Sequence, residues 1–211
     1  YMTTGSNAYI LLSGPHLNEV DLTKIKNSIV ISCSRTILAL NKIDNSNDIY
    51  YACGDLSTVN DVLPWVQQLP DEKVYLATAT DITNFHGYKV RVMPKRLKDI
   101  SEISMDMIDQ DVMPWSYGTV NDVAFPLCMK LRVKNAFLIG CNHDNQGQFF
   151  NSKFKSIGDD IIDGVRDAMS FTFKLYKEFF ESNGMKIYNT CMDTKETVFD
   201  KMEFEESLEV Q

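Results

Sequence analysis

Short apolar runs of about five residues recur along the chain. Each is closed by a glycine, an asparagine, an aspartate or a small polar turn. Ala8–Leu12, Ser28–Ser32, Asp48–Ala52, Lys73–Ala77, Ala136–Gly140 and Lys186–Thr190 read as strands. Lys89–Met93 is weaker and reads as an edge strand. Near-continuous apolar strands of this kind fit a parallel sheet covered on both faces. Between them, Thr58–Gln68 carries Val59, Val62, Leu63 and Val66 at helical spacing, with Ser57 or Thr58 as its N-cap. Asp159–Ser182 is the clearest helix, striped by Ile162, Val165, Met169, Tyr176 and Phe180 and stopped by Asn183-Gly184. Val120–Leu131 is helical too, with Pro126 removing one hydrogen bond and bending it.

Alternation of strand and helix predicts an α/β fold: a Rossmann-like three-layer sandwich with a mostly parallel sheet. A length of 211 residues suits one such domain over 1–211. Residues 94–118 interrupt the alternation, with Met105, Met107, Met113 and Trp115 set among acids. They read as a packed insertion, the other reading being a flap over a site. The tail from Asp193 to Gln211, with seven acids and two lysines, reads as an exposed helix or strand end.

Charge narrows the partners. The net charge of −8 repels phosphate on average, which argues against a nucleic-acid partner. Backbone amides at a helix start still bind phosphate locally, whatever the net charge. No run approaches the ~18 apolar residues of a membrane span. Five widely spaced cysteines with no CxxC pair exclude the common zinc and redox motifs. They read as buried reduced thiols, hence a cytoplasmic protein. The start, Tyr1-Met2-Thr3, has no charged segment followed by an apolar core, so no signal peptide is read there. A leading Tyr before Met2 suggests a domain with a possible neighbour in a longer chain.

In a doubly wound sheet ligands bind at the carboxyl ends of the strands, so the residues there are the candidates. The first strand is followed by Ser13-Gly14-Pro15-His16, a hydroxyl beside a turn that lets backbone approach a ligand. The second is followed by Cys33-Ser34-Arg35-Thr36, which opens a helix and suits a phosphate. Cys53-Gly54-Asp55 puts a carboxylate at the third strand end. Gly118-Thr119 begins the Pro126 helix, a second anion-binding start. Gly140-Cys141-Asn142-His143-Asp144 is the most polar strand end, and His143 is a candidate base because imidazole titrates near neutrality. His16 and His86 have weaker claims. No Walker lysine motif, GxGxxG, HExxH or GxSxG is present.

Taken together, Leu11-Leu12-Ser13-Gly14-Pro15-His16-Leu17, Ile31-Ser32-Cys33-Ser34-Arg35, Tyr117-Gly118-Thr119-Val120 and Ala136-Phe137-Leu138-Ile139-Gly140-Cys141-Asn142 resemble the bacterial sialyltransferases of glycosyltransferase family 42. They are equally similar to the related hydroxymethylpterin diphosphokinase-like (MptE-like) and flagellin-modifying proteins. The resemblance spans roughly residues 8–204 and rests on short motifs. It implies a metal-independent transferase with no cofactor beyond its nucleotide-activated donor, the nucleotide lying across the first two strand ends. Ser13 stands where the sialyltransferases often carry Asn, and His16 replaces their Ser. Ser34 matches the Asn that follows their Cys, Gly118-Thr119 their donor-facing Ser-Gly, and Asn142 their strand-end Asp. Their phosphate-facing Tyr falls on Asp144, and no histidine follows residue 143 where they carry one in a lid.

These readings combine into one expectation: a bacterial surface-glycan glycosyltransferase using a nucleotide sugar, CMP-linked by preference, and a glycan acceptor. Ser13, Gly14, Pro15, Ser34, Arg35, Gly118, Thr119, Asn142 and Asp144 bind the nucleotide, and His143 or Asp55 acts as base. The alternatives are a degenerate, non-catalytic domain binding nucleotide or a partner, and an MptE-like pyrophosphoryl transferase with Mg²⁺ on Asp55 and Asp144.

Overall fold

The computed structural model describes residues 5–78, 88–115, 118–142 and 159–210. Its centre is a nine-stranded sheet. The strands are β1 (Asn7–Leu11), β2 (Ile29–Cys33), β3 (Asp48–Cys53), β4 (Val74–Thr78), β5 (Tyr88–Arg96), β6 (Val112–Trp115), β7 (Asn135–Ile139), β8 (Lys186–Asn189) and β9 (Asp200–Lys201). Their order is β6-β5-β4-β3-β2-β1-β7-β8-β9. Every pairing among the described strands is parallel.

Alternate residues of each strand enter different cores, which makes the sandwich three-layered. Ala8, Ile10, Ile31, Ala136 and Leu138 point to one core, shared with Phe125, Phe173, Tyr176 and Phe180. These come from α3 (Phe125–Lys130) and α4 (Asp159–Ser182), after α1 (Leu56–Val66) and α2 (Met105–Asp109) in the chain. Tyr9, Leu11, Val30, Phe137 and Ile139 face the other way, against Leu17, Leu22 and the Phe204 of α5 (Phe204–Ser207). On that second face Tyr51, Cys53 and Leu76 meet Val59, Val62 and Val66 of α1. The α4 stripe is core, with Tyr176 and Phe180 fully buried and Met169 against them. Ile162 and Val165 lie outside the described side chains. All five cysteines are buried, free thiols.

Four local expectations are corrected. The Lys89–Met93 run is not an edge: β5 lies between β4 and β6. The edge is β6, inside the 94–118 stretch, which also supplies α2 and buries Ile103, Met105 and Ile108. The N-cap of α1 is Asp55, two or three residues earlier than Ser57 or Thr58, because its carboxylate accepts from the Ser57 N–H at 2.9 Å. The Pro126 helix is not one bent helix. A π-helical turn at Val120–Ala124 precedes α3, so Pro126 sits in a first helical turn, where a missing N–H is tolerated. The acidic tail is not simply exposed, since Glu196, Phe199, Phe204 and Ser207 are buried. Apolar residues spaced between its acids pull it down: Phe204 packs edge-on to Tyr9, and the Tyr9 hydroxyl donates to the Ser207 carbonyl at 2.9 Å.

Candidate functional site

The chain builds outward from β1 through β2 to β6 on one side, then returns to place β7 on the other flank of β1. The connections that leave β1 and β7 at their carboxyl ends therefore diverge, and such a switch point is where doubly wound sheets open a ligand crevice. Gly14 and Asn142, predicted at these two strand ends, meet there. The ladder runs on past the strands: the Leu12 N–H donates to the Ile139 carbonyl at 2.8 Å and the Gly14 N–H to the Gly140 carbonyl at 3.0 Å. The two loops are so close that a Cβ on Gly14 would lie 2.3 Å from both the Gly140 carbonyl oxygen and Asn142 Oδ1. Gly14 thus admits the neighbouring loop, a role that turn chemistry alone does not reveal. Ser13 and Pro15 flank it, and Pro15 opens a 3-10 turn over Pro15–Asn18.

Asn142 is buried and ties three strand ends together. Its Oδ1 accepts from the His16 backbone N–H at 3.2 Å, and its Nδ2 lies 3.2 Å from Cys191 Sγ beyond β8. This network also positions His16, a residue ranked low from sequence. Its Nδ1 is 3.1 Å from Glu19 Oε2, and its Nε2 is 3.4 Å from Thr190 Oγ1 at the end of β8.

A second group forms at the ends of β2 and β3. Ser34 and Thr119, both predicted, have their hydroxyls 3.1 Å apart, and Thr119 Oγ1 accepts from the Gly54 N–H at 3.0 Å. Ser34 has φ of 56°, a left-handed conformation uncommon for residues with a side chain and shared in this chain by Asn27, Asp111 and Arg132. Gly118 has φ of +90° and starts the turn that carries Thr119. Thr36 Oγ1 lies between the ends of β1 and β2, 3.1 Å from the Leu11 carbonyl oxygen and 2.9 Å from that of Cys33. Of the other predicted residues, Arg35 pairs with Asp61 of α1 at 2.5 Å. His143 and Asp144 lie outside the described residues.

Asp55 holds the start of α1. Its oxygens accept from the Ser57 N–H and from the Ser57 and Thr58 hydroxyls at 2.8–3.0 Å. Partial burial pushes its pKa up, but the hydrogen bonds from Ser57 and Thr58 outweigh this and leave it below the ordinary carboxylate value. A lowered carboxylate stabilises the fold above its unfolded value near ~4, and this is lost as pH falls through the folded one. Asp55→Ala should therefore cost about 1 kcal/mol at neutral pH, the usual worth of an N-cap. In urea unfolding that deficit should narrow as the pH is taken below ~4; a deficit independent of pH would show that the charge has no part in the cap.

The buried thiols are poor nucleophiles, since burial raises Cys33 and Cys128 above ordinary thiol values. Among the described residues no group of three His, Cys, Asp or Glu is placed to hold a metal ion. Nor is any helix among them long and apolar enough to cross a membrane.

No family model matches this chain, and no curated protein does. Among solved structures it is similar to the sialyltransferase CST-II in complex with a trisaccharide acceptor and CMP. The identity is 11% over 93% of this chain and 86% of that one, with a TM-score of 0.43. It is also similar to the sialyltransferase CstII from Campylobacter jejuni in complex with a substrate analogue, cytidine-5'-monophosphate, at 12% identity over 93% and 84% of the two chains, with a TM-score of 0.42.

Proposed function

We propose that the chain is a glycosyltransferase-like enzyme of bacterial surface-glycan synthesis that transfers a sugar from a nucleotide, CMP by preference, without a metal ion. The observation that supports this reading is the reversal of strand order between β1 and β7, the kind of switch point at which parallel α/β sheets bind ligands, with Gly14 and Asn142 at the two strand ends. The Ser34–Thr119 pair lies along the same carboxyl edge, one strand away. The nucleotide lies across the ends of β1 and β2. Ser13 and Ser34 offer hydroxyls, and the Gly118-Thr119 turn offers backbone amides to the phosphate. Electrostatic stabilisation of the leaving phosphate supplies much of the rate.

One observation favours the alternative of a non-catalytic binding domain. Arg35, Thr119 and Asn142 already bond within the protein, so each must be spared or re-paired when ligand enters. The Mg²⁺-dependent pyrophosphoryl-transfer reading is weaker here, because the oxygens of Asp55 serve the cap of α1.

Calorimetric titration with CMP, UDP, GDP and ATP, each with and without Mg²⁺, separates sugar-nucleotide binding from pyrophosphoryl transfer, and release of CMP from a CMP-linked sugar then separates the enzyme from a non-catalytic nucleotide binder. The expected result is CMP binding that is indifferent to Mg²⁺ and at least ~10-fold weaker in Gly118→Val, where a branched side chain must enter a positive-φ turn. ATP bound only with Mg²⁺ would favour pyrophosphoryl transfer. Failure of every nucleotide to bind would leave the non-catalytic domain.

A further inference from the structure

Arg35 directly follows Ser34, so the two Cα atoms are about 3.8 Å apart. It stands just past the carboxyl end of β2, in the first turn of the 3-10 helix Ser34–Lys42. The polar groups around that strand end converge. The Ser34 hydroxyl lies 3.1 Å from that of Thr119, and Thr119 Oγ1 in turn accepts from the Gly54 N–H beyond β3. Burial raises the pKa of the Tyr51 hydroxyl in β3, and the Arg35 charge is among the influences that oppose this, so the guanidinium lies near the same edge.

A carboxylate of the chain itself occupies that guanidinium. Arg35 Nη2 donates to Asp61 Oδ2 at 2.5 Å, and Asp61 stands in the second turn of α1. Neither side chain is sealed, with Arg35 21% and Asp61 36% exposed. Asp61 also engages the fork through Oδ2 alone, whereas Asp109 grips Arg132 with both oxygens, at 2.9 and 2.8 Å. A guanidinium presents the same planar donors to a carboxylate and to a phosphate, so the two compete for it. An ion pair open to water is weak, and a second anion can therefore exchange with Asp61 at small cost.

We infer that the Arg35–Asp61 pair is a latch on the donor site, held shut by Asp61 in the free protein and opened when a donor phosphate takes the guanidinium; this rests on the sugar-nucleotide reading. Only ion-pair and hydrogen-bond partners exchange, and the released Asp61 carboxylate turns to water. The latch makes the site selective for phosphorylated ligands. A nucleoside or free sugar offers Arg35 no anion and leaves it on Asp61. It also lowers the apparent affinity for the donor by the fraction of molecules in which Arg35 is free. Asp61 thus acts through Arg35 and touches no ligand itself.

The test is calorimetric titration of the full chain with CMP and with cytidine. Asp61→Asn keeps the size of the side chain and removes the competing charge. Its CMP affinity should rise about 2–5-fold, the range that a weak ion pair supplies, with any cytidine affinity unchanged. Asp61→Ala should show the same gain, which guards against a new bond from the asparagine amide to Arg35. Arg35→Ala should bind CMP at least ~10-fold more weakly, as loss of a charged hydrogen-bond donor predicts. In the Arg35→Ala background Asp61→Asn should bring no gain. Plain repulsion of phosphate by Asp61 would persist there, so a gain in that background overturns the latch. So does CMP binding by wild type that neither Asp61 variant strengthens, or that Arg35→Ala leaves intact. If wild type and both Asp61 variants bind no CMP, the sugar-nucleotide reading itself is overturned and the latch falls with it.

Discussion

Gly140→Ala is expected to cost about 2–5 kcal/mol, a large share of the ~5–15 kcal/mol that holds a domain folded. Two separate penalties add. Gly140 has φ of +81°, and an L-residue there loses roughly 1–2 kcal/mol. Its Cβ would also lie 2.3 Å from the Leu12 carbonyl oxygen and 3.2 Å from that of Gly14. Both obstacles are backbone, so relief requires moving β1 away from β7, and overpacking of that kind costs roughly 1–3 kcal/mol. Gly184 supplies the internal control. It has φ of +74° but nothing within 4 Å of a new Cβ, so Gly184→Ala should show the conformational penalty alone. Urea unfolding of both variants isolates the steric part by difference. Equal losses in the two would mean that the loops after β1 and β7 do not approach as described. The comparison matters for function because this contact sets the floor of the proposed crevice. A variant that stays folded with its loops forced apart should also lose nucleotide affinity.

Much of the sheet was legible because its strands announce themselves. β1, β2, β3, β4, β7 and β8 are apolar runs bounded by polar turns, and each lies within a residue or so of its predicted place. β6 was not legible, since Val112-Met113-Pro114-Trp115 is four residues long and contains a proline. Without it β5 read as an edge. β9 is two residues long, below the reach of any periodicity. Glu196 was hidden by composition: among seven tail acids nothing marks the one that is buried. It is held there by the Val198 and Phe199 N–H groups and by Asn189 Nδ2.

The candidate site divides in the same way. Polar turns after strands could be enumerated from sequence, and the parallel topology does bring Gly14 to Asn142 and Ser34 to Thr119. What each side chain bonds to could not be enumerated. Arg35 reads as a phosphate ligand until α1 is seen to present Asp61 to it. His16 carried little weight because Thr190 is 174 positions away. The local half of the pair, Glu19 three residues on, was visible and was the signal that could have raised it.

Phe125→Ala is expected to cost about 3–5 kcal/mol, the range for emptying a buried phenylalanine site. The ring is fully buried at the centre of an aromatic cluster. Its centroid lies 5.8 Å from Phe173, 5.2 Å from Tyr176, 5.8 Å from Phe180 and 5.7 Å from Phe199. These partners belong to α4 and to the tail, so one residue of α3 docks both onto the sheet. Collapse cannot fill the space cheaply, because Phe173 and Phe199 are already packed at 4.9 Å on each other. Phe125→Leu should cost less than half as much, since most of the volume remains. Urea midpoints with an unchanged slope would report pure loss of packing. A loss below about 1 kcal/mol in the alanine variant would show that α4 is not seated on Phe125. The effect should also reach the candidate site. Met169 of α4 stands against Gly118, where its Cε lies 3.4 Å from a would-be Cβ. Asn121, three residues on, donates to Thr172 of α4 at 2.8 Å. Loosening α4 therefore frees the turn that places Thr119 against Ser34. Any nucleotide affinity of the wild type should weaken in Phe125→Ala even where the variant is still folded.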